Sequence, residues 1–126
     1  MRLPNPPVIA VVEDDAAMRE ALSDLLEVTS FSCQTFGGAD AFLAAFSPGR
    51  FDCLITDLHL PGVSGLELLQ RLRALGASIP VIFITSSVDT AFRVRAMQEG
   101  AFAYLTKPFN DKALISHVMT ALERKG

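Results

Sequence analysis

Four strand-like runs in this chain end in residues able to do chemistry. Glu13 and Asp14 follow the apolar run 8–12, Asp57 closes 53–56, Thr85 follows 81–84, and Lys107 follows 102–106. Continuous β-branched and apolar runs of this length, bounded by turn residues, read as strands buried on both faces. An Asp delivered to the end of such a strand is poorly placed for packing and well placed for a ligand. Three carboxylates brought into one crevice repel one another unless something cationic compensates. A hard divalent cation with oxygen ligands does so, and Mg²⁺ favours one or two carboxylates together with waters and a substrate phosphate. Lys107 adds a second positive charge.

Those side chains meet only if the strands lie side by side in one direction, and the intervening segments are built for that. After the first strand comes an amphipathic helix with Met18, Leu22, Leu25 and Leu26 on one stripe. Residues 31–36 alternate in polarity, as expected of a strand nearer the sheet edge. Residues 39–46 carry Phe42, Leu43 and Phe46 at helical spacing. Ser64 and Glu67 form a capping-box signature before the apolar positions Leu68, Leu69, Leu72 and Leu75. A fourth helix is expected over 89–99, with Val94 and Met97 inward and Gly100 at its C-terminal cap. Asn110 or Asp111 starts a last helix bearing Leu114, Ile115, Val118 and Leu122, with His117 on its exposed side. Strand then helix, five times, predicts an α/β fold with a single five-stranded parallel sheet, doubly wound as (βα)5. In the common strand order 2-1-3-4-5 the switch point lies between strands 1 and 3, and ligands bind there, outside the carboxyl ends of the strands. Glu13, Asp14 and Asp57 converge at that point.

The bulk composition narrows the function classes. The chain has 126 residues, half of them hydrophobic and 20% charged, with a net charge of -3. That fits one domain with a real core. The basic residues are scattered, so the footprint of a nucleic-acid binder is missing and no direct nucleic-acid contact is expected. No apolar run approaches the roughly 20 residues that span a bilayer, and residues 1–7 lack a signal-peptide core; a short extended leader on a cytoplasmic protein is expected. Cys33 and Cys53 have no metal-type spacing and read as small buried hydrophobes.

The same residues carry a family resemblance. Val12-Glu13-Asp14-Asp15, Asp57-x-x-Leu60-Pro61-Gly62-x-Ser64-Gly65, Thr85 and Lys107-Pro108-Phe109 resemble the receiver (CheY-like) domain of bacterial two-component response regulators. The stretches 66–69 and 100–109 look nearest to the FixJ-type subgroup, whose members usually carry a DNA-binding domain next. The resemblance implies a domain over residues 8–124, with 125–126 as a C-terminal end before any output domain. It implies that Asp57 accepts a phosphoryl group from a sensor histidine kinase. Asp14, Asp57 and the backbone carbonyl of His59 would bind Mg²⁺, or Mn²⁺ in its place, with Glu13 acting through a water. Aligning Met18-Arg19 with the family pattern sets this register and leaves Asp15 at the helix start, where a carboxylate favours the dipole. Lys107 and Thr85 would hold phosphoryl oxygens. Thr85 and Tyr104 would form the switch, and His59 and Ser87 would tune hydrolysis. Arg93, Arg95, Tyr104 and Lys112 would lie on the output surface made by helix 4, strand 5 and helix 5, which would mediate phosphorylation-dependent homodimerisation or control an output domain for transcription. Such a domain is regulatory and catalyses only its own phosphorylation and dephosphorylation. Two departures from the commonest pattern are Leu60 in place of Met and Ser86 after Thr85, the latter able to crowd the phosphoryl pocket or add a donor.

Blander readings compete. Asp57 is common as a turn residue, Thr85 suits a strand for its own sake, Lys107 could be a solvated surface lysine, and Tyr104 could simply pack on a helix. An aspartyl-phosphate hydrolase would want a second acid two residues after the nucleophile, where His59 stands. A flavodoxin-type binder would want a Ser/Thr- and Gly-rich loop where Glu13-Asp14-Asp15 would repel phosphate. A degenerate receiver used only for docking would lack some of the site residues.

Overall fold

The computed structural model describes residues 6–86 and 89–125. Five strands and five helices alternate: β1 (Val8–Val12), α1 (Ala16–Val28), β2 (Ser32–Phe36), α2 (Ala39–Ala45), β3 (Cys53–Asp57), α3 (Gly65–Ala74), β4 (Val81–Thr85), α4 (Thr90–Gln98), β5 (Ala103–Thr106) and α5 (Asp111–Lys125). All neighbouring strands pair in parallel, in the order β2-β1-β3-β4-β5. The expected doubly wound (βα)5 fold is therefore present. Residues 1–5 of the expected leader, and Gly126 at the C-terminal end, lie outside the described residues.

The sheet separates two apolar layers, as period-2 side chains dictate. Ala10, Val12, Leu54, Val81 and Phe83 pack under α2 and α3 with Phe42, Leu68, Leu69 and Leu72. Ile9, Val11, Ile55, Ile82 and Ile84 pack under α1 and α5 with Leu22, Leu26, Leu114 and Val118. The central strands β3 and β4 are buried along their whole length, whereas β2 is only half-buried, as befits an edge.

Local chemistry fixes the helix starts. Asp15 caps α1 by accepting from the N–H groups of Ala17 and Met18 at 2.9 and 3.2 Å. Ser64 Oγ accepts from Glu67 N–H at 3.1 Å, while the Glu67 carboxylate pairs with Arg71. Asp89 caps α4, and Asn110 accepts from Ala113 N–H at the start of α5. Gly100 follows α4 at φ +102°, a conformation that favours glycine.

Two expectations are corrected. Val94 and Met97 do not point inward: they are 49% and 44% exposed, and the buried residue of α4 is Ala96. The larger apolar residues of α4 are spread around the helix, so no stripe selects a face, and the small Ala96 lets the helix approach the sheet. His117 is half-buried rather than on the exposed side of α5, because it lines a cleft with Arg73 and Phe102 at the amino ends of β4 and β5.

Candidate phosphoryl and metal site

The parallel sheet brings the ends of β1, β3, β4 and β5 together. Lys107 Nζ donates to Glu13 Oε1 at 2.6 Å and to Asp57 Oδ2 at 2.7 Å. The Glu13 side chain is 1% exposed, that of Asp57 11% and that of Lys107 18%, so this is a largely desolvated ion cluster. Asp14 stands exposed beside it, and one carboxylate oxygen from each of Glu13, Asp14 and Asp57 lies within 4.8 Å of the others.

Three carboxylates facing one ammonium leave an excess of negative charge. Burial pushes the Glu13 carboxyl above its usual range; the Lys107 hydrogen bond opposes this, and Asp14 and Asp57 reinforce it. Burial works against the Lys107 ammonium, but the hydrogen bonds and charges of Asp57 and Glu13 outweigh it and hold the lysine above its ordinary value. The contributions of Asp14 and Asp57 to Glu13, and of both carboxylates to Lys107, reflect the surplus of negative charge in the pocket. The donors are hard carboxylate oxygens with an exposed side at Asp14, which fits a Mg²⁺ ion that keeps part of its water shell.

Backbone contacts fix the pocket's shape. His59 N–H donates to Asp57 Oδ1 at 2.9 Å, which sets the carboxylate's orientation opposite Lys107. Gly65 N–H donates to Leu58 O at 2.9 Å as α3 begins. A Cβ on Gly65 would collide with the Asp57 carbonyl oxygen and lie 2.9 Å from Leu58 Cα, so only glycine permits this approach. Arg19 reaches back from α1, its Nη1 donating to the carbonyls of Glu13 at 2.8 Å and Asp14 at 3.4 Å. The Lys107-Pro108 peptide is cis.

Thr85 is fully buried at the end of β4, and its carbonyl accepts from Lys107 N–H at 2.7 Å. Tyr104 lies on β5 beside Phe83. Its ring packs on the α2–α3 side of the core, and its hydroxyl is buried with no hydrogen-bond partner among the described residues. Burial raises the phenol above its ordinary value, partly offset by Arg93, whose guanidinium sits 5.9 Å from the ring centroid. Arg93 and Arg95 are exposed, and Arg95 pairs with Glu99 at 3.5 Å. Lys112 is exposed too, but lines a groove of about 410 Å³ between α1 and α5 with Leu25 and Met119. Ser86 is exposed, and Ser87 lies outside the described residues.

Three contributors were not foreseen from sequence as parts of the site. Arg19 served only to set the register of the acidic run, though an arginine four residues after the N-cap Asp15 is placed to reach the preceding loop. Gly65 follows the N-cap Ser64, and a glycine at a helix start does not by itself signal a close backbone approach. Phe92, the lone aromatic of α4, meets His59 edge-on at 5.6 Å between ring centroids, and no local pattern announces that contact.

Comparison with known proteins identifies the family. Residues 9–119 match the family described as the response regulator receiver domain, and the chain belongs to that family. It is 42% identical over 122 residues to the transcriptional regulatory protein FixJ of Azorhizobium caulinodans, covering 97% of this chain and 58% of that protein. It is 41% identical over 117 residues to nodulation protein W of Bradyrhizobium diazoefficiens, covering 93% of this chain and 52% of that one. Among solved structures, the response regulator StyR superposes with a TM-score of 0.89 at 39% identity, covering 95% of this chain and 61% of that chain. Full-length FixJ from B. japonicum gives 0.86 at 36% identity, covering 96% and 60%. The chain thus spans little more than half the length of these curated relatives. It is a receiver domain of the two-component signalling type, with FixJ-type relatives. No helix among the described residues is long and apolar enough to cross a membrane.

Proposed function

We propose that this domain is a phospho-accepting switch with Asp57 as the acceptor. The observation that carries this is the bridge from Lys107 Nζ to both Glu13 and Asp57, with Asp14 alongside, at the switch point of the sheet. In the proposed reaction, a carboxylate oxygen of Asp57 attacks the phosphorus of a phosphohistidine on a sensor kinase. The O–P bond forms as the P–N bond breaks, and the imidazole leaves with the electron pair. Asp14, Asp57 and the His59 carbonyl would hold Mg²⁺ directly, with Glu13 acting through a water. The ion would neutralise charge on the transferring group. Lys107 already lies within hydrogen-bond reach of Asp57 and would move to a phosphoryl oxygen. The Thr85 hydroxyl would take another. Positioning and charge stabilisation of this kind make up most of phosphoryl-transfer catalysis.

The acyl phosphate carries about -1.5 to -2 charges in place of the single charge of the Asp57 carboxylate. Thr85 drawn toward it would leave space for Tyr104, whose unpartnered hydroxyl is available for a new bond. The surface carrying Arg93, Arg95 and Tyr104, with Lys112 on the flank of α5, would then engage a second copy or an output domain. The relatives named as transcriptional regulators support the reading that the output is transcriptional. We place the domain in the cytoplasm with its kinase, without direct contact to nucleic acid. Borohydride trapping tests the acceptor. After treatment with acetyl phosphate and Mg²⁺, peptide mapping should find the reduced residue at position 57 alone; reduction at another carboxylate overturns the assignment.

A further inference from the structure

Glu13 and Asp14 are adjacent in the chain, and adjacent side chains of an extended strand point to opposite faces of the sheet. Here the two converge: one carboxylate oxygen from each lies within 4.8 Å of the other and of an Asp57 oxygen. The chain achieves this by leaving β1 at Val12 and bending at Asp14 before α1 begins at Ala16. That bend must be held, because carboxylates gathered on one side repel one another. The Glu13 carboxylate is held at both oxygens, Oε1 accepting from Lys107 Nζ at 2.6 Å and Oε2 from Asp15 N–H at 3.4 Å. The backbone is held by Arg19. Its Nη1 donates to Glu13 O at 2.8 Å and to Asp14 O at 3.4 Å, so one nitrogen grips the peptides on both sides of the Asp14 α-carbon. Arg19 is half-buried against the loop after β2, where a Cβ on Gly37 would stand 3.6 Å from Nη1.

We propose that Arg19 is a positioning residue for the divalent cation: by fixing the two peptides that flank Asp14, it keeps the Glu13 and Asp14 carboxylates turned toward Asp57, where one Mg²⁺ can use them together. The inference rests on the proposed metal site, with Asp14 binding directly and Glu13 through a water. Arg19 acts there through the backbone. Its two possible effects on the ion have opposite signs. As a bare positive charge near three carboxylates it repels a cation, so removing it would tighten Mg²⁺ binding. As a clamp it presents the carboxylates, so removing it weakens Mg²⁺ binding. Groups that orient metal ligands from behind are typically worth about 10–100-fold in affinity. The α1 start also restrains this loop, through the Asp15 cap, so the lower end of that range applies to Arg19.

The test titrates magnesium chloride into the unphosphorylated domain by isothermal calorimetry at fixed ionic strength. Wild type, Arg19→Met, Arg19→Lys and Asp14→Asn are compared, with circular dichroism to confirm folding. Arg19→Met, which keeps the aliphatic stem, should weaken Mg²⁺ binding by about tenfold. Arg19→Lys, which restores the charge and a donor, should recover most of that affinity. Binding by Arg19→Met that equals or exceeds wild type overturns the proposal, as does Arg19→Lys binding no better than Arg19→Met. If Arg19→Met does not fold, Arg19→Gln takes its place under the same criterion. If wild type binds no Mg²⁺, or Asp14→Asn binds it as tightly as wild type, the metal site itself falls and this proposal with it. If Asp14→Asn loses the ion while Arg19→Met keeps it, the site stands and only the role of Arg19 is overturned.

Discussion

Lys107 Nζ lies 2.7 Å from Asp57 Oδ2, though 50 residues separate them in the chain. The link joins the ends of two strands that are not neighbours, since β4 lies between β3 and β5. It also draws in Glu13 from β1, so one ammonium ties three strand ends. Replacing Lys107 with Met should leave the buried Glu13 and Asp57 facing each other without that cation. Losing one partner of a fully buried pair costs about 3–5 kcal/mol. Here Asp57 and Lys107 keep some exposure and the Glu13 carboxyl, already raised by burial, can take up a proton, so we expect about 2 kcal/mol at neutral pH. Chemical denaturation at pH 7 and pH 5 checks this: the loss should shrink at the lower pH.

The surplus of negative charge makes a metal prediction. Adding Mg²⁺ to the unphosphorylated domain should raise its melting temperature, by the equivalent of about 2.7 kcal/mol at a hundredfold excess over Kd. The Asp14→Asn variant should lose most of that shift. An identical shift in both proteins would place the ion elsewhere.

Gly65 offers a steric test of how the loop after β3 is held. A methyl group there meets backbone, which cannot step aside as a flexible side chain would. Gly65→Ala should cost about 1–3 kcal/mol and slow phosphorylation by displacing the carbonyl next to the Asp57 side chain. Thermal melts and adduct formation rates would show it. A neutral result would mean that α3 starts further from β3 than it does here.

Tyr104 is the single tyrosine of a chain without tryptophan, so its titration can be followed alone by ultraviolet absorbance. Burial raises its phenol above the ordinary value, which is about 10. The sign for stability follows. The unfolded chain ionises first, so this contribution is complete below the unfolded value and is lost as pH rises through the folded one. Lys107, also raised, acts in the same direction in the same alkaline range. Stability should fall from about pH 10 upward. An unshifted phenol would mean an exposed hydroxyl.

Much of this was legible in the sequence because the physics is local. Runs such as Val8–Val12 and Val81–Ile84 announce buried strands by being apolar throughout, and polar residues directly after them mark the site. Asp15, Ser64 and Asn110 announce helix starts through short side chains that satisfy nearby N–H groups. The orientation of α4 was not legible, because Phe92, Val94 and Met97 do not share a face and the residue that packs is the small Ala96. Nor was the reach of Arg19 to the carbonyls of Glu13 and Asp14, or the meeting of His59 with Phe92. These contacts depend on how loops from different strands settle against helices, and no periodicity encodes that.

The most direct test of the central claim is the intact mass of the domain after incubation with acetyl phosphate, with and without Mg²⁺, for wild type and Asp57→Asn. One added phosphoryl group is expected in wild type with Mg²⁺, little without the ion, and none in the variant. An adduct that persists in Asp57→Asn, or that forms equally well without a divalent cation, would contradict the assignment of acceptor and metal.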